Sequence, residues 1–463
     1  QAGQGRPRRM TASGSEMPAT PDPVPSRATP DPALAGYWPS PWPAEDGGPR
    51  RTQGPGGATG TTASIRFAPG LRAGRPLQAT SRPVFMGCMA IVRDPGEVYL
   101  QGNLLGAPST GWVERLHPES LEPLARSIDL PGGPFWPGGV AAHADGSLYV
   151  TFGRWVHRLA PDSLEVLAAH ELPRERPYNS SVVLASGHLV TKDFGGGVGA
   201  AALPPELRGS ELVVLAPGTL EEVTRHELPE GSIARLSADA PDRIYVIGDT
   251  HAFGLRFDEA TATIVEDWRV RYRTRDGQGF GWDVVIDDGS GWFLDDGEGT
   301  EAFGGHFAGK GVATAPLQLL RVTLDGSTLD AVEVCGLPGG IIANPPCVDA
   351  GRRIAVGFDS GNAQLVAWRY GEPGAADAWT ELWRHDQHHA AHLLRWAGGE
   401  LLSHDYDASR GVDQVVVRDI ETGDELGRAD TGSPVQSVVF GAAGWADDAY
   451  VVSFGAVARV WSD

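Results

Sequence analysis

Ten residues of the chain, Trp383-Arg-His-Asp-Gln-His-His-Ala-Ala-His392, hold four of its 13 histidines. His404-Asp-Tyr-Asp407 follows twelve residues later. Imidazoles titrate near neutrality and ligate transition metals through a ring nitrogen, so this pattern suits either acid–base chemistry or a metal. His392, His404 and Asp405 are the candidate catalytic groups, with His389 a candidate ligand. A histidine-rich surface turn is the competing reading, because the spacing matches no zinc signature. Asp295-Asp-Gly-Glu298 places three acids in four residues and could hold a hard cation through oxygen, though without helix–loop–helix calcium spacing. Lys192 is one of two lysines set against 36 arginines, and it adjoins Asp193. A compact, titratable ammonium where arginine is otherwise preferred makes it a further catalytic candidate. Cys335 and Cys347 flank one loop and read as reduced thiols. Ser180 and Ser181 lack a nucleophile elbow, so no serine hydrolase triad is assigned.

These groups need elements to bring them together, and a repeat supplies them. From about residue 84 one pattern recurs every 40–60 residues: an apolar strand, a D-G-type turn, an "LYV"-type strand, then "V-x-R-L-x-P-x-(S/T)-L-E" and "LP". GGVAAHADGSLYVTFGRWVHRLAPDSLEVLAAHELP shows it most fully, and eight copies of graded clarity can be traced. Short strands separated by Gly/Asp turns at this spacing are the signature of propeller blades. The expected fold is all-β: one β-propeller over residues 61–463, of about eight four-stranded blades, with seven as the alternative. The last copy stops at Val460-Trp461, and the segment Ser64 to Leu77 resembles its missing end. The N-terminal region is therefore expected to close the ring, removing a free sheet edge.

In such a hairpin-led blade, the residues before the first strand and after the second meet at one mouth of the axis. The first set reads Cys88, Trp136, Asn179, Arg235, Trp282 with Asp283, Asn344, His389 with His392, and Gln436. The second reads Gln101, Thr151, Lys192 with Asp193, Asp249 with His251, Asp295 with Asp296, Asp359, and His404 with Asp405. Polar groups around a narrow axis must be hydrated, paired or bound to something. Trp136, Arg235, Trp282 and Gln436 are the candidate substrate-binding residues, and a water-filled channel is the alternative.

Residues 1–60 carry 12 Pro and 10 Gly without hydrophobic period and are expected to form a disordered arm. Within it, Gly36-Tyr-Trp-Pro-Ser-Pro-Trp-Pro43 sets three aromatics on a stiff backbone that could dock on the propeller or act as a linker. Net charge is −21, which argues against nucleic acid and anionic membrane as partners. No run of 18 apolar residues, no leader-type apolar stretch and only three cysteines make a cytoplasmic protein the expectation.

The blade pattern resembles the quinoprotein-dehydrogenase-like and gluconolactonase-like propeller groups over residues 60–463. Asp419-Ile-Glu-Thr-Gly-Asp-Glu-Leu looks like the "D-x-x-T-G-x" turn of quinoprotein blades. It occurs clearly once, with no following Trp and no adjacent cysteines, which argues against a bound quinone. Resemblance to the gluconolactonase-like group implies a divalent ion (Ca, Mn, Fe or Zn) held by Asn179, Asn344 and one of Asp283 or Asp295. The leading expectation is a small-molecule enzyme in the axial pocket, a metal-assisted hydrolase, lyase or isomerase. The alternatives are a quinone-cofactor oxidoreductase and a non-catalytic propeller that binds a protein partner.

Overall fold

The computed structural model describes residues 31–55, 65–195 and 208–463. Eight antiparallel sheets follow one another around an axis, which settles the blade number at eight. Blades 1 to 7 begin with the strands Gly87–Val92, Gly139–Ala142, Tyr178–Val183, Ser237–Asp239, Val285–Asp287, Cys347–Asp349 and Leu394–Arg395. Blade 8 begins with Ala442–Ala443. The helices among the described residues are single 3-10 turns, and none is long and apolar enough to cross a membrane.

Burial follows position in the blade. Gly87–Val92, innermost in blade 1, is buried along its whole length, while Val166–Glu171, outermost in blade 2, alternates exposed and half-buried. Inner strands are covered on both faces by neighbouring blades and must be apolar throughout; outer strands keep one face in water. The recurrent "P-x-(S/T)-L-E" phrase has a local cause. Leu121, Leu164 and Leu220 each adopt a left-handed backbone (φ 63°, 58° and 62°) and bury their side chains almost completely. That backbone costs a leucine about 1–2 kcal/mol, and burial of the side chain returns a similar amount. The phrase is thus a turn that plants one leucine between sheets.

The ring closes as expected, although the strand lies just beyond the segment that suggested it. Gln78–Pro83 pairs antiparallel with Ala456–Trp461 and completes blade 8. The preceding chain folds over the rim instead, with Phe67 stacked on Trp396 at 4.2 Å.

The expected structureless arm requires correction from residue 31 to 55; residues 1–30 and 56–60 lie outside the described residues. Here the chain fills the axis at the end opposite the mouth. It pairs with the far ends of the inner strands: Val92 N–H donates to Trp42 O (3.0 Å), Ala238 N–H to Pro49 O (2.8 Å), Ile286 N–H to Arg50 O (2.8 Å) and Arg395 N–H to Gln53 O (2.7 Å). Trp42 is fully buried, and Tyr37 Oη accepts from Val183 N–H at 2.7 Å. A Pro/Gly-rich stretch cannot order itself, but eight converging strand ends offer it backbone partners and apolar cover.

Candidate functional site

At the mouth the axis opens into a cavity of about 690 Å³. Its wall is aromatic: Phe85, Phe135 and Trp136 from the approaches to blades 1 and 2, Trp282 before blade 5, and Phe440 and Phe454 of blade 8. Phe303 and Phe307 come from the long connection that leaves blade 5 after the strand Ser290–Leu294. Trp136 is steadied by stacking on Phe194 at 4.4 Å. Polar lining is sparse, comprising Arg235, Thr300 and Glu301.

Arg235 is the charged group at the cavity floor. Its guanidinium lies 4.4 Å from the Phe440 ring centroid and donates through Nη2 to Pro137 O at 3.1 Å. Its Nε and the indole Nε1 of Trp282 are both buried without a hydrogen-bond acceptor. The Trp282 indole is the incomplete member, because an unpaired N–H costs about 1–3 kcal/mol, whereas Arg235 Nε faces the Glu45 carboxylate. Both line the cavity that a ligand would fill.

Below Arg235 a network of charges runs down the axis to the N-terminal segment. Arg235 N–H donates to Asp283 Oδ1 at 2.6 Å, and Arg235 Nε stands 3.6 Å from Glu45 Oε2. Arg51 reaches Glu45 at 2.6 Å and Asp46 at 3.1 Å, and Asp46 Oδ1 meets His392 Nδ1 at 2.6 Å. Burial raises the Glu45 carboxyl above its ordinary range. Burial acts the same way on Asp46, but His392 and Arg51 together overcome it and hold that carboxyl low. His392 also packs on Phe440, with ring centroids 4.0 Å apart.

The other residues singled out by sequence divide sharply. Trp136, Arg235 and Trp282 stand in the cavity wall. Gln436 does not reach the cavity: its Oε1 accepts from Phe307 N–H (2.8 Å) and its Nε2 donates to His388 O (2.8 Å). His389 and His404 approach to 6.5 Å between ring centroids, as the hairpin argument required. Each is engaged, however. His389 Nδ1 accepts from His404 N–H at 3.0 Å, and His404 Nδ1 meets Asp413 Oδ2 at 2.9 Å. Burial, then the neighbouring imidazole of His404, drives the His389 pKa far down, so the ring is neutral with its proton on Nε2. Asp405 clamps His388 N–H (2.9 Å) and Arg428 (2.8 Å) and is absent from the cavity wall.

The acids after each second strand are structural for a shared reason. The second strand ends beside the start of the third, whose N–H groups need acceptors. Asp193 accordingly accepts from Glu211 N–H at 2.8 Å and Asp295 from Gln318 N–H at 2.6 Å. Lys192 is fully buried, donates to Asp193 O and Ser232 O at 2.8 Å each, and is lowered by burial to about 8.

The expected metal ligands do not assemble. Asn344 Nδ2 is spent on Ala390 O and Val438 O (3.1 Å), and Asp283 caps Arg235. Asn179 lies in the first strand of blade 3, and its side chain is outside the described residues. Among the described residues no three His, Cys, Asp or Glu side chains group as they would around an ion. Sequence reasoning missed Glu45, Asp46, Asp413 and the phenylalanines of the wall. Only the blade 5 connection carried a legible signal, a long Gly-rich insertion of the kind that blade 3 also carries after Asp193.

Eight blades closed by an N-terminal strand, with an aromatic cavity at one end of the axis, define an eight-bladed β-propeller. Solved structures share it. A quinohemoprotein alcohol dehydrogenase from Comamonas testosteroni matches with a TM-score of 0.61 at 12% identity, over 92% of this chain and 81% of that one. A europium-containing methanol dehydrogenase matches at 0.61 and 10%, over 91% and 98%. A quinohemoprotein alcohol dehydrogenase from Pseudomonas putida HK5 gives 0.53 and 10%, over 92% and 80%. No known protein family matches the sequence, and no curated protein does. The sequence argument against a quinone is thereby overturned: missing blade phrases and adjacent cysteines do not exclude such a cofactor from a fold that quinohemoproteins share.

Proposed function

We propose that the axial cavity binds a planar quinone-type cofactor and that the chain is an oxidoreductase acting through it. The observation that carries this reading is the pairing of a wall of flat rings with the Arg235 guanidinium at the floor and the buried indole Nε1 of Trp282, which has no hydrogen-bond acceptor. The volume of about 690 Å³ lies within the ~300–1,000 Å³ of small-molecule sites. A quinone supplies a two-electron acceptor when bound. Trp136 and the phenylalanines supply flat apolar contact and exclude water, and Arg235 with Trp282 donates to oxygens on the ring edge. The fold shared with quinohemoproteins supports the same choice. A metal-assisted hydrolase, lyase or isomerase loses its support with its ligand set.

The test is titration with pyrroloquinoline quinone, followed by tryptophan fluorescence and by absorbance beyond that of Trp and Tyr. Wild type is expected to quench saturably, with Trp136→Ala weakening binding about 2–10-fold, the size of one aromatic pair. Dye-linked oxidation of small alcohols then reports turnover. No saturable binding at ~100 µM quinone rejects the reading.

A further inference from the structure

The connection between Ser290–Leu294 and Gln318–Thr323 of blade 5 does not turn back at once. It passes over blades 6 and 7 as far as blade 8 and covers the cavity on that side. Outward, Phe303 packs on Phe454 with centroids 5.9 Å apart, and Gly305 O accepts from Gln436 N–H at 2.8 Å. Gln436 then takes Phe307 N–H on its side-chain oxygen at 2.8 Å. Returning, His306 stacks on Tyr406 at 6.1 Å, and Gly309 N–H donates to Gly361 O at 2.9 Å. On its outward half the strap is latched at Gln436; on its return Phe307 is buried against Ile341 and Ala390, and Ala313 O accepts from Gly339 N–H at 2.8 Å. Gly299 and Gly309 stand at its two ends with φ of +87° and +72°, backbone states that side-chain-bearing residues resist.

We propose that residues 299–309 are a hinged gate over the axial cavity, latched to blade 8 by Gln436 and Phe303. Glycines at both ends let the strap swing, while the latch keeps Phe303 and Phe307 in the wall. The gate stands whatever ligand the cavity takes. Gln436, read from sequence as a ligand contact, becomes a positioning residue that sets the rate of entry.

The chain carries its own reporter. Of its two lysines, Lys192 is fully buried and the half-exposed Lys310 adjoins the strap's second hinge, so the rate at which a lysine-specific protease cuts the folded protein reports on the strap alone. Gln436→Ala removes one of the two latch hydrogen bonds and Phe303→Ala the ring contact. Each is expected to speed cleavage after Lys310 by about fivefold or more, with the far-ultraviolet spectrum unchanged. Stopped-flow binding of anilinonaphthalene sulfonate, a planar aromatic anion, is the second measurement. Association and dissociation rates should rise together in Gln436→Ala, leaving Kd within about threefold, whereas Phe303→Ala, which also removes a wall residue, should raise both rates and weaken binding. Unchanged cleavage and unchanged rates in both variants overturn the gate, as does a Gln436→Ala change in Kd carried by one rate alone. Protection of wild-type Lys310 by pyrroloquinoline quinone supports the gate and the quinone reading together. Faster cutting in the variants without quinone protection supports the gate and removes only the quinone.

Discussion

Replacing Asp296 by asparagine should make the protein more stable, by an amount that depends on pH in a calculable way. Asp296 follows the second strand of blade 5 and is fully buried. Its Oδ1 accepts from Gly279 N–H at 3.0 Å, whereas Oδ2 has no donor. A methyl carbon placed on Gly340 would stand 2.7 Å from that Oδ2 and 3.1 Å from Asp359 Oδ2, so two carboxylates converge there. Burial, then the charges of Asp295 and Glu298, lift the Asp296 pKa far above the carboxylate range, and the folded protein holds the proton at neutral pH. A carboxyl whose folded pKa is raised contributes most below its unfolded value, and that contribution drains as pH rises towards the folded value. Each pH unit above an ordinary pKa of about 3.9 costs about 1.4 kcal/mol, or about 4 kcal/mol at pH 7. Asparagine keeps the shape and the acceptor without that cost. Urea unfolding of wild type and Asp296→Asn at pH 4, 5.5 and 7 should show near-equal stability at pH 4 and a gap approaching 4 kcal/mol at pH 7. An asparagine variant less stable than wild type at every pH would refute the reasoning, since it would mean an ionised carboxylate held by a counter-charge.

Lys192 carries the opposite dependence on pH. Its ammonium is lowered by burial to about 8, so between there and the ordinary value near 10.4 the unfolded chain binds a proton that the folded chain has lost. Stability from this group therefore rises with pH through that window, and Lys192→Met should flatten the rise in melts at pH 8, 9 and 10. Trp42→Ala empties the centre of the axial segment and should cost about 3–5 kcal/mol by denaturant unfolding, where a loose linker would lose almost nothing. Arg51→Met leaves Glu45 and Asp46 without their shared cation and should cost about 3–5 kcal/mol in the same assay. A cost below ~1 kcal/mol for either variant would show that the segment is not integral to the fold.

The repeat was legible because its physics is local. A leucine forced into a left-handed turn recurs in each clear unit beside short strands set off by Gly/Asp turns, so the sheets could be read from spacing alone. The axial segment was not legible, because nothing in Pro/Gly-rich residues 31–55 announces its partners. Those partners are strand ends contributed by distant blades. The histidines show the same division. Hairpin geometry brings His389 to His404, but Asp413 and Asp46 reach His404 and His392 through tertiary contacts that no spacing encodes. The acids after the second strands misled for another reason: an aspartate that satisfies a backbone N–H is the same letter as one that faces a ligand. The aromatic wall escaped because phenylalanine reads as core until the cavity is seen.

The shared sheet of blade 8 has a consequence for biosynthesis. Gln78–Pro83 leaves the ribosome first and waits for Ala456–Trp461, so the clasp is the final event of assembly. Until the inner strands arrive, Trp42 and its neighbours have no cover, and the nascent ring is an open arc with two sticky ends. Relocating the chain break to the connection between blades 1 and 2 would make the clasp fold as an internal hairpin, moving the vulnerable stage of maturation to a different seam.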